Sequence, residues 1–395
     1  MTEYQQKLKS NIRKLYVIKA LRWFLIIMPI LVLFFQENGL SMRQVFLLQS
    51  LFSVAIIVLE VPSGYFSDVV GRKITIIIGS IVSAIGFVVY SCSSGFYGFL
   101  AAELLLGFGA SFISGTDSAL LYDTLLALGI ADNYKKQEGI LSSIGNFSEG
   151  IAGILGGFLA LISLRAPFYV ETVLLFIALP ITFSLFEPER QKINDGQNDW
   201  IRILKIVKFA LHDHHEIKWL IMYSSTVGAS TLTMVWFIQP YLKLVGLPLA
   251  LFGIVWACLQ FSVGLFALSA HYVESFAGRR YSLIALIFLS VTGYFLLSAV
   301  QQLWGMVFIL IFYFVRGIHV PVLQDYINRL ISSEIRASVL SVKNLIGRLI
   351  FAAVGPFLGW VSDQFSLSTA FIFAGFIFGV GGIITLFALN RIHAL

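Results

Sequence analysis

Twelve ionisable side chains fall inside long apolar runs of this 395-residue sequence: Lys19, Arg22, Glu60, Glu103, Asp117, Asp123, Glu149, Glu171, Arg316, Asp325, Lys343 and Arg348. At the centre of a lipid bilayer such a charge costs about 2.5 to 3.5 kcal/mol on insertion scales, so it turns to a bundle interior, pairs, or marks the path of an ion or ligand. By position in their runs Glu149, Asp117, Arg316 and Arg348 lie nearest mid-membrane. A carboxylate held in low dielectric can exchange a proton near neutrality, which is the chemistry of proton coupling. Glu149 and Asp117 are the residues read for it. A structural ion pair with Arg348 or another base is the other role open to Glu149.

Other chemistries are excluded. The dipeptide Gly-Lys never occurs, so there is no phosphate-binding loop of the GxxxxGK[ST] type and no ATP-driven pump by that route. His212, Asp213, His214, His215 and Glu216 invite a metal reading, but the fourth position after His215 is Trp219, where a zinc helix needs a second His. They read as a solvated linker end. Cys92 and Cys258 stand far apart in apolar runs, giving neither a disulfide framework nor a metal cluster. No cofactor motif and no metal site is expected. No nucleophile with a matching base is found at one depth, so the chain does not read as an enzyme.

The elements that must position these groups follow from composition. The chain is 58% hydrophobic and 12% charged, whereas a soluble domain carries roughly 25% charged residues. Most of its surface must face lipid. A spanning helix needs about 20 apolar residues, and twelve such runs are read at residues 15–36, 43–63, 72–92, 96–127, 138–163, 168–187, 218–240, 248–271, 279–300, 303–330, 337–361 and 368–390. This predicts an all-α membrane protein of two six-helix bundles, residues 1–187 and 218–395, joined by a polar linker, 188–217. Within the linker, Trp200 to Leu211 places Arg202, Lys205 and Lys208 among apolar residues, the pattern of a helix lying in the membrane interface. The basic start, Met1 to Lys14, runs straight into the first span, which reads as its own insertion signal.

Lys and Arg in alternate loops set orientation. Nineteen fall on one side and three, Arg43, Arg165 and Lys243, on the other. Both termini and the linker are therefore expected in the cytoplasm, and the net charge of +6 is a topology signal with no bearing on nucleic acid. The halves also repeat: Gly71-Arg72-Lys73 recurs as Gly278-Arg279-Arg280, and Asp123, Gly145, Gly153 and Gly157 fall on Asp325, Gly347, Gly355 and Gly359. The glycine stripes read as surfaces where helices approach closely. On span four, taken as one helix, Glu103, Ser114 and Asp117 lie within about 60° of each other and Asp123 opposite. If Asp117 faces a cavity, Asp123 packs toward neighbours near the cytoplasmic end, where Lys19, Arg22 or Glu60 could meet it. On span ten Tyr313, Arg316 and His319 share a face.

The segment Gly64-Tyr65-Phe66-Ser67-Asp68-Val69-Val70-Gly71-Arg72-Lys73 resembles the loop signature of the major facilitator superfamily, and a weaker copy spans His271 to Arg280. Leu59 to Gly64 and Thr116 to Asp123 resemble bacterial efflux-type members. Val69 stands where the signature has a basic residue, and Glu103 where drug and proton antiporters carry an arginine. Span eleven keeps Gly355-Pro356-Phe357-Leu358-Gly359, while span five only approximates the antiporter pattern. The resemblance implies a monomeric, multi-pass transporter of the inner (cytoplasmic) membrane whose halves rock about a site at mid-depth. It implies that spans one, four, seven and ten line a substrate cavity, giving Asp117, Ser114, Tyr313, Arg316 and His319 as cavity residues. It makes Gly64, Asp68, Gly71, Arg72, Lys73, Gly278, Arg279 and Arg280 a cytoplasmic gate. The expected activity is proton-coupled export of an amphipathic small molecule such as a drug or siderophore. The alternative is a nutrient importer or facilitator of the same fold.

Overall fold

The computed structural model describes residues 3–189, 207–332 and 335–392. Among these there is no strand; the chain runs through α1 (Glu3–Arg22), α2 (Leu31–Glu37), α3 (Met42–Val70), α4 (Arg72–Cys92), α5 (Gly95–Ile113), α6 (Thr116–Ala127), α7 (Tyr134–Leu159) and α8 (Ala166–Phe183). After the linker come α9 (His215–Leu244), α10 (Phe252–Ala299), α11 (Ile309–Arg329), α12 (Arg336–Gln364) and α13 (Leu367–Arg391). Nine of the described helical stretches are long and apolar enough to cross a bilayer. The protein is an all-α, multi-pass membrane protein. Three local departures separate this list from the twelve runs read in sequence. Span one is split into α1 and α2, span four into α5 and α6, and spans eight and nine are one helix, α10, turned at Gly278 with φ 72°. The interfacial helix expected at Trp200 to Leu211 lies largely outside the described residues.

Each split has a backbone cause. Pro29 has no N–H and its ring displaces the carbonyl four residues back, which disfavours helix just before it, although α3, α8, α9, α11 and α12 each run through a proline. Residues 24–30 form short-range turns instead, with Ile30 N–H donating to the Ile27 carbonyl at 3.0 Å. In span four Gly115 takes φ 79°, a left-handed conformation that glycine adopts without penalty. The chain stops α5 there and starts α6 afresh at Thr116.

The chain divides into two compact units. Unit one holds Met1–Leu40, Leu51–Ile193 and Leu249–Cys258; unit two holds Ser41–Ser50, Asn194–Pro248 and Leu259–Leu395. In unit one α4 packs on α5 and α8, and α1 on α6, α7 and α8. The seven-residue α2 is too short to be stable alone. It is held by Phe34 and Phe35 against Phe99, Phe168 and Tyr90, and by Arg165, which lies 5.1 Å over the Phe34 ring and donates to the Ser91 and Ser93 carbonyls. Unit two is organised around α9, most of it buried, with α11, α12 and α13 against it.

The repeated glycines do the same work in both units. In unit one a Cβ on Gly157 would stand 2.9 Å from the Gly253 nitrogen of α10, and one on Gly153 would stand 2.9 Å from the Trp256 ring. In unit two a Cβ on Gly359 would stand 2.7 Å from the Met42 carbonyl oxygen of α3, and one on Gly355 would stand 2.8 Å from the Phe46 ring. Small residues let backbones approach where lipid gives no hydrophobic drive. The first turn of α3 is further fixed by Asp363, whose two oxygens accept from the Met42 and Arg43 N–H groups at 2.8 Å each, and by a Ser41–Gln44 capping box.

Candidate functional site

The interruptions of spans one and four meet in unit one. α1 ends with Lys19 and Arg22 in its last turn, and α6 begins with Asp117 in its first. The Lys19 ammonium lies 3.5 Å from Asp117 Oδ2, both side chains mostly buried, and stands 5.0 Å over the Trp23 ring. Arg22 is within electrostatic reach of the same carboxylate. A carboxylate in a helix's first turn complements the partial positive charge there, so Asp117 is fixed by its own helix as well as by the two bases. Around it Ser118 Oγ donates to Glu138 at 2.8 Å, and the Tyr16 hydroxyl donates to Gln137. Ser114, at the end of α5, is exposed.

Two expectations are corrected here. Span four is not one helix, so the shared face of Glu103, Ser114 and Asp117 does not exist. Glu103 is instead buried and accepts from the Tyr90 hydroxyl at 2.5 Å, tying α5 to α4. The partner expected for Asp123 is also wrong: Lys19 meets Asp117, while Asp123 lies 3.5 Å from Arg72 Nε.

A fully buried carboxyl supports the break in span one. Glu171 of α8 is 0% exposed, and its Oε2 accepts from the Ile26 N–H at 2.7 Å; its Oε1 has no hydrogen-bond partner. The Ile26 N–H, which α1 leaves unbonded by ending at Arg22, is shared between this carboxylate and the Phe24 carbonyl at 2.9 Å. Glu149, on α7, is buried as well. A Cβ on neighbouring Gly156 would run into the Ile26 carbonyl, so the α7 stripe packs on the break itself.

In unit two the face shared by Tyr313, Arg316 and His319 divides by depth. Tyr313 and His319 are buried, at 1% and 6% exposure, and Arg316 is half-buried. His319 Nε2 lies 3.0 Å from the Ser224 carbonyl and 3.2 Å from its hydroxyl, which binds α11 to α9. A carbonyl only accepts, so Nε2 carries the proton. Ser225 Oγ donates to the Lys343 carbonyl at 3.0 Å, binding α9 to α12. Lys343 and Arg316 both act electrostatically on the His319 ring.

The signature segment forms a compact network at the end of α3. Arg72 lies 2.6 Å from Asp68, donates to Ser67 Oγ at 3.0 Å and reaches Asp123, joining α3, α4 and α6. Gly71 at φ 130° makes the corner and has no side chain to cap α4. Glu187 supplies the cap, accepting from the Arg72 and Lys73 N–H groups at 3.0 and 2.6 Å. Gly64 is exposed with open space around it. The copy in unit two uses other partners: Arg279 pairs with Glu216 at 2.7 Å and stacks 4.9 Å from the Tyr326 ring, and the Tyr326 hydroxyl donates to Glu274. Asp325, the counterpart of Asp123, pairs along its own helix with Arg329, and Arg280 is exposed.

Reading the sequence missed Glu187 and Glu171 as structural anchors. Each finds its partner more than 100 residues away, and no local pattern announces such a pairing. The breaks were open to reading, because Pro29 and Gly115-Thr116-Asp117 are ordinary stop and start signals.

The sequence profile of the Major Facilitator Superfamily matches residues 15–356. The uncharacterized MFS-type transporter YxaM of Bacillus subtilis is 22% identical over 354 residues, covering 87% of each chain. The quinolone resistance protein NorA of Staphylococcus aureus is 23% identical over 171 residues, 43% of each chain. Among solved structures, the nucleoside transporter NupG superposes with a TM-score of 0.78 at 16% identity, covering all of both chains. A bacterial homologue of the human lysosomal transporter Spinster gives 0.74 at 16%, covering 99% of this chain and 98% of that one. With its apolar helices, its repeated Gly-Arg corners and this match across most of its length, the chain belongs to the Major Facilitator Superfamily of membrane transporters.

Proposed function

We propose that the protein is a secondary active transporter that exports an amphipathic small molecule across the cytoplasmic membrane in exchange for protons. Asp117 and Glu149 take up and release the proton. Ser114, Asp117, Tyr313, Arg316 and His319 serve the substrate path, and the Gly64–Lys73 and Gly278–Arg280 corners serve as the cytoplasmic gate of an alternating-access cycle. The observation that carries the coupling is the Lys19–Asp117 pair, which links the ends of two interrupted spans. A proton arriving on Asp117 cancels the attraction and frees Lys19. An interaction made in only one protonation state biases the equilibrium between conformations. Likeness to a quinolone resistance protein over part of the chain supports export.

Uptake into proteoliposomes under an imposed pH gradient tests this. The gradient should drive accumulation, Asp117→Asn should abolish the pH dependence, and Glu149→Gln should lower it by about tenfold or more, as for a lost transfer group. Transport indifferent to pH in the unaltered protein would remove proton coupling. Direction is read in cells: a deletion strain hypersensitive to toxic compounds supports export, and one that starves on a defined nutrient supports import.

A further inference from the structure

Two basic groups inside unit two, Arg316 and Lys343, have no acid within ion-pair distance among the described residues. The carboxylates of its long helices are each engaged elsewhere: Glu216 with Arg279, Glu274 with Tyr326, Asp325 with Arg329, and Asp363 with the Met42 and Arg43 N–H groups. Arg316 stands thirteen residues from Leu303 and thirteen from Arg329, roughly 20 Å of helix rise either way. Its side chain cannot snorkel over that distance to either membrane surface. A guanidinium held there needs a counter-charge, because an uncompensated charge at that depth is expensive.

Hydrogen bonds tie the surrounding helices together. His319, one turn beyond Arg316, is 6% exposed and bonded to Ser224, and its Nδ1 has no partner. Gly228 of α9 faces the ring, and a Cβ there would come into ordinary contact with its Cε1 at 3.5 Å. Ser225 fixes the α12 backbone at Lys343. Three helices thus hold two half-buried cations around one imidazole, with the donor fork of an arginine beside the point charge of a lysine.

We propose that Arg316 and Lys343 recognise an anionic group on the transported molecule, a carboxylate, sulfonate or phosphate, with His319 as the positioning residue that braces α11 on α9. This names the substrate class and rests on the reading of the protein as a transporter. The charge that membrane insertion leaves uncompensated is then supplied by the cargo, and the site empties when the cargo leaves.

The test is thermal unfolding of the full-length protein in detergent, titrated with 4-phenylbutyrate and naphthalene-2-sulfonate, against 4-phenylbutyramide and 4-phenylbutylamine of similar size. Binding to the folded state raises the midpoint by mass action. The two anions should raise it and the neutral and cationic probes should not. Arg316→Gln and Lys343→Gln should each weaken the anion titration about tenfold, the size of one lost charged hydrogen bond. Arg316→Lys, which keeps the charge, should recover part of it and covers the case that the glutamine variant fails to fold. Equal stabilisation by all four probes, or anion binding that survives both glutamine variants, overturns the proposal. A lipid head group offers the same chemistry, so a parallel titration with phosphatidylglycerol micelles is needed; stabilisation by the lipid alone also overturns it. Counterflow in proteoliposomes separates the two readings. Movement of the amine without anion binding leaves the transporter intact and sinks the anion site, and anion binding without movement of any probe supports the site and counts against these probes as cargo.

Discussion

Of the twelve ionisable residues singled out in the apolar runs, six carboxylates and two bases fall in the first half of the sequence, against one carboxylate and three bases in the second. The units built from them differ accordingly. In unit one the described carboxylates brace interrupted helices: Asp117 holds the end of α1, Glu171 holds the Ile26 N–H, and Asp123 holds Arg72. In unit two the helices facing α9 run unbroken, and Arg316 and Lys343 stand on them with no acid in ion-pair distance among the described residues. Yet both units place the repeated glycines against an incoming helix, and both turn a corner on a positive-φ glycine followed by arginine. Backbone packing has stayed common to the repeats while the charged groups have diverged. A charge change should therefore alter shape in unit one and ligand affinity in unit two.

The most damaging test attacks what the units share. Gly157→Leu and Gly359→Leu would each drive a large side chain into the backbone of a packed helix, which cannot yield as a side chain can. Both should eliminate monodisperse protein in size-exclusion chromatography; tolerance of one and not the other would show that the glycines are not equivalent. The next test concerns the corners. Arg72 joins three helices through two carboxylates and a serine, whereas Arg279 has one carboxylate and one ring. Arg72→Ala should cost about 2 kcal/mol and Arg279→Ala about 1, given partial exposure. The order of the two melting temperatures checks this, and a reversed order would make the unit-two corner the more important. The smallest effect is expected at the start of α1. A hydrogen bond from Lys7, then its charge, holds the fully exposed Glu3 carboxylate below its usual range. Glu3→Gln should leave melting and transport unchanged, because exposed pairs of this kind contribute little.

The span pattern was legible because the bilayer imposes a length and a composition on every crossing, and sequence records both. The Gly71 and Gly278 corners were legible for a related reason, since a left-handed turn between two spans selects glycine. The breaks at Pro29 and Gly115 were written just as plainly, but a window of about 20 apolar residues averages over them. Treating span four as one helix then carried Asp117 to the wrong neighbours. Charge partners were not legible at all. Whether Asp123 meets Lys19 or Arg72 depends on the rotation of helices about their axes, which packing decides and one-dimensional periodicity does not.

The acceptor for Ile26 has a consequence for how the protein is made. Chains emerge from the ribosome amino end first, at about 5 to 20 residues per second. The first span must therefore enter the lipid well before residue 171 exists. Until α8 arrives, the Ile26 N–H has only the local Phe24 carbonyl, 2.9 Å away, and lacks the carboxylate that later shares it. The first hairpin is thus provisional during synthesis, and its final shape is set by a helix five crossings downstream. A fault in α8 would leave nascent protein whose opening segment never settles, and cellular quality control would meet that defect before any question of transport arose.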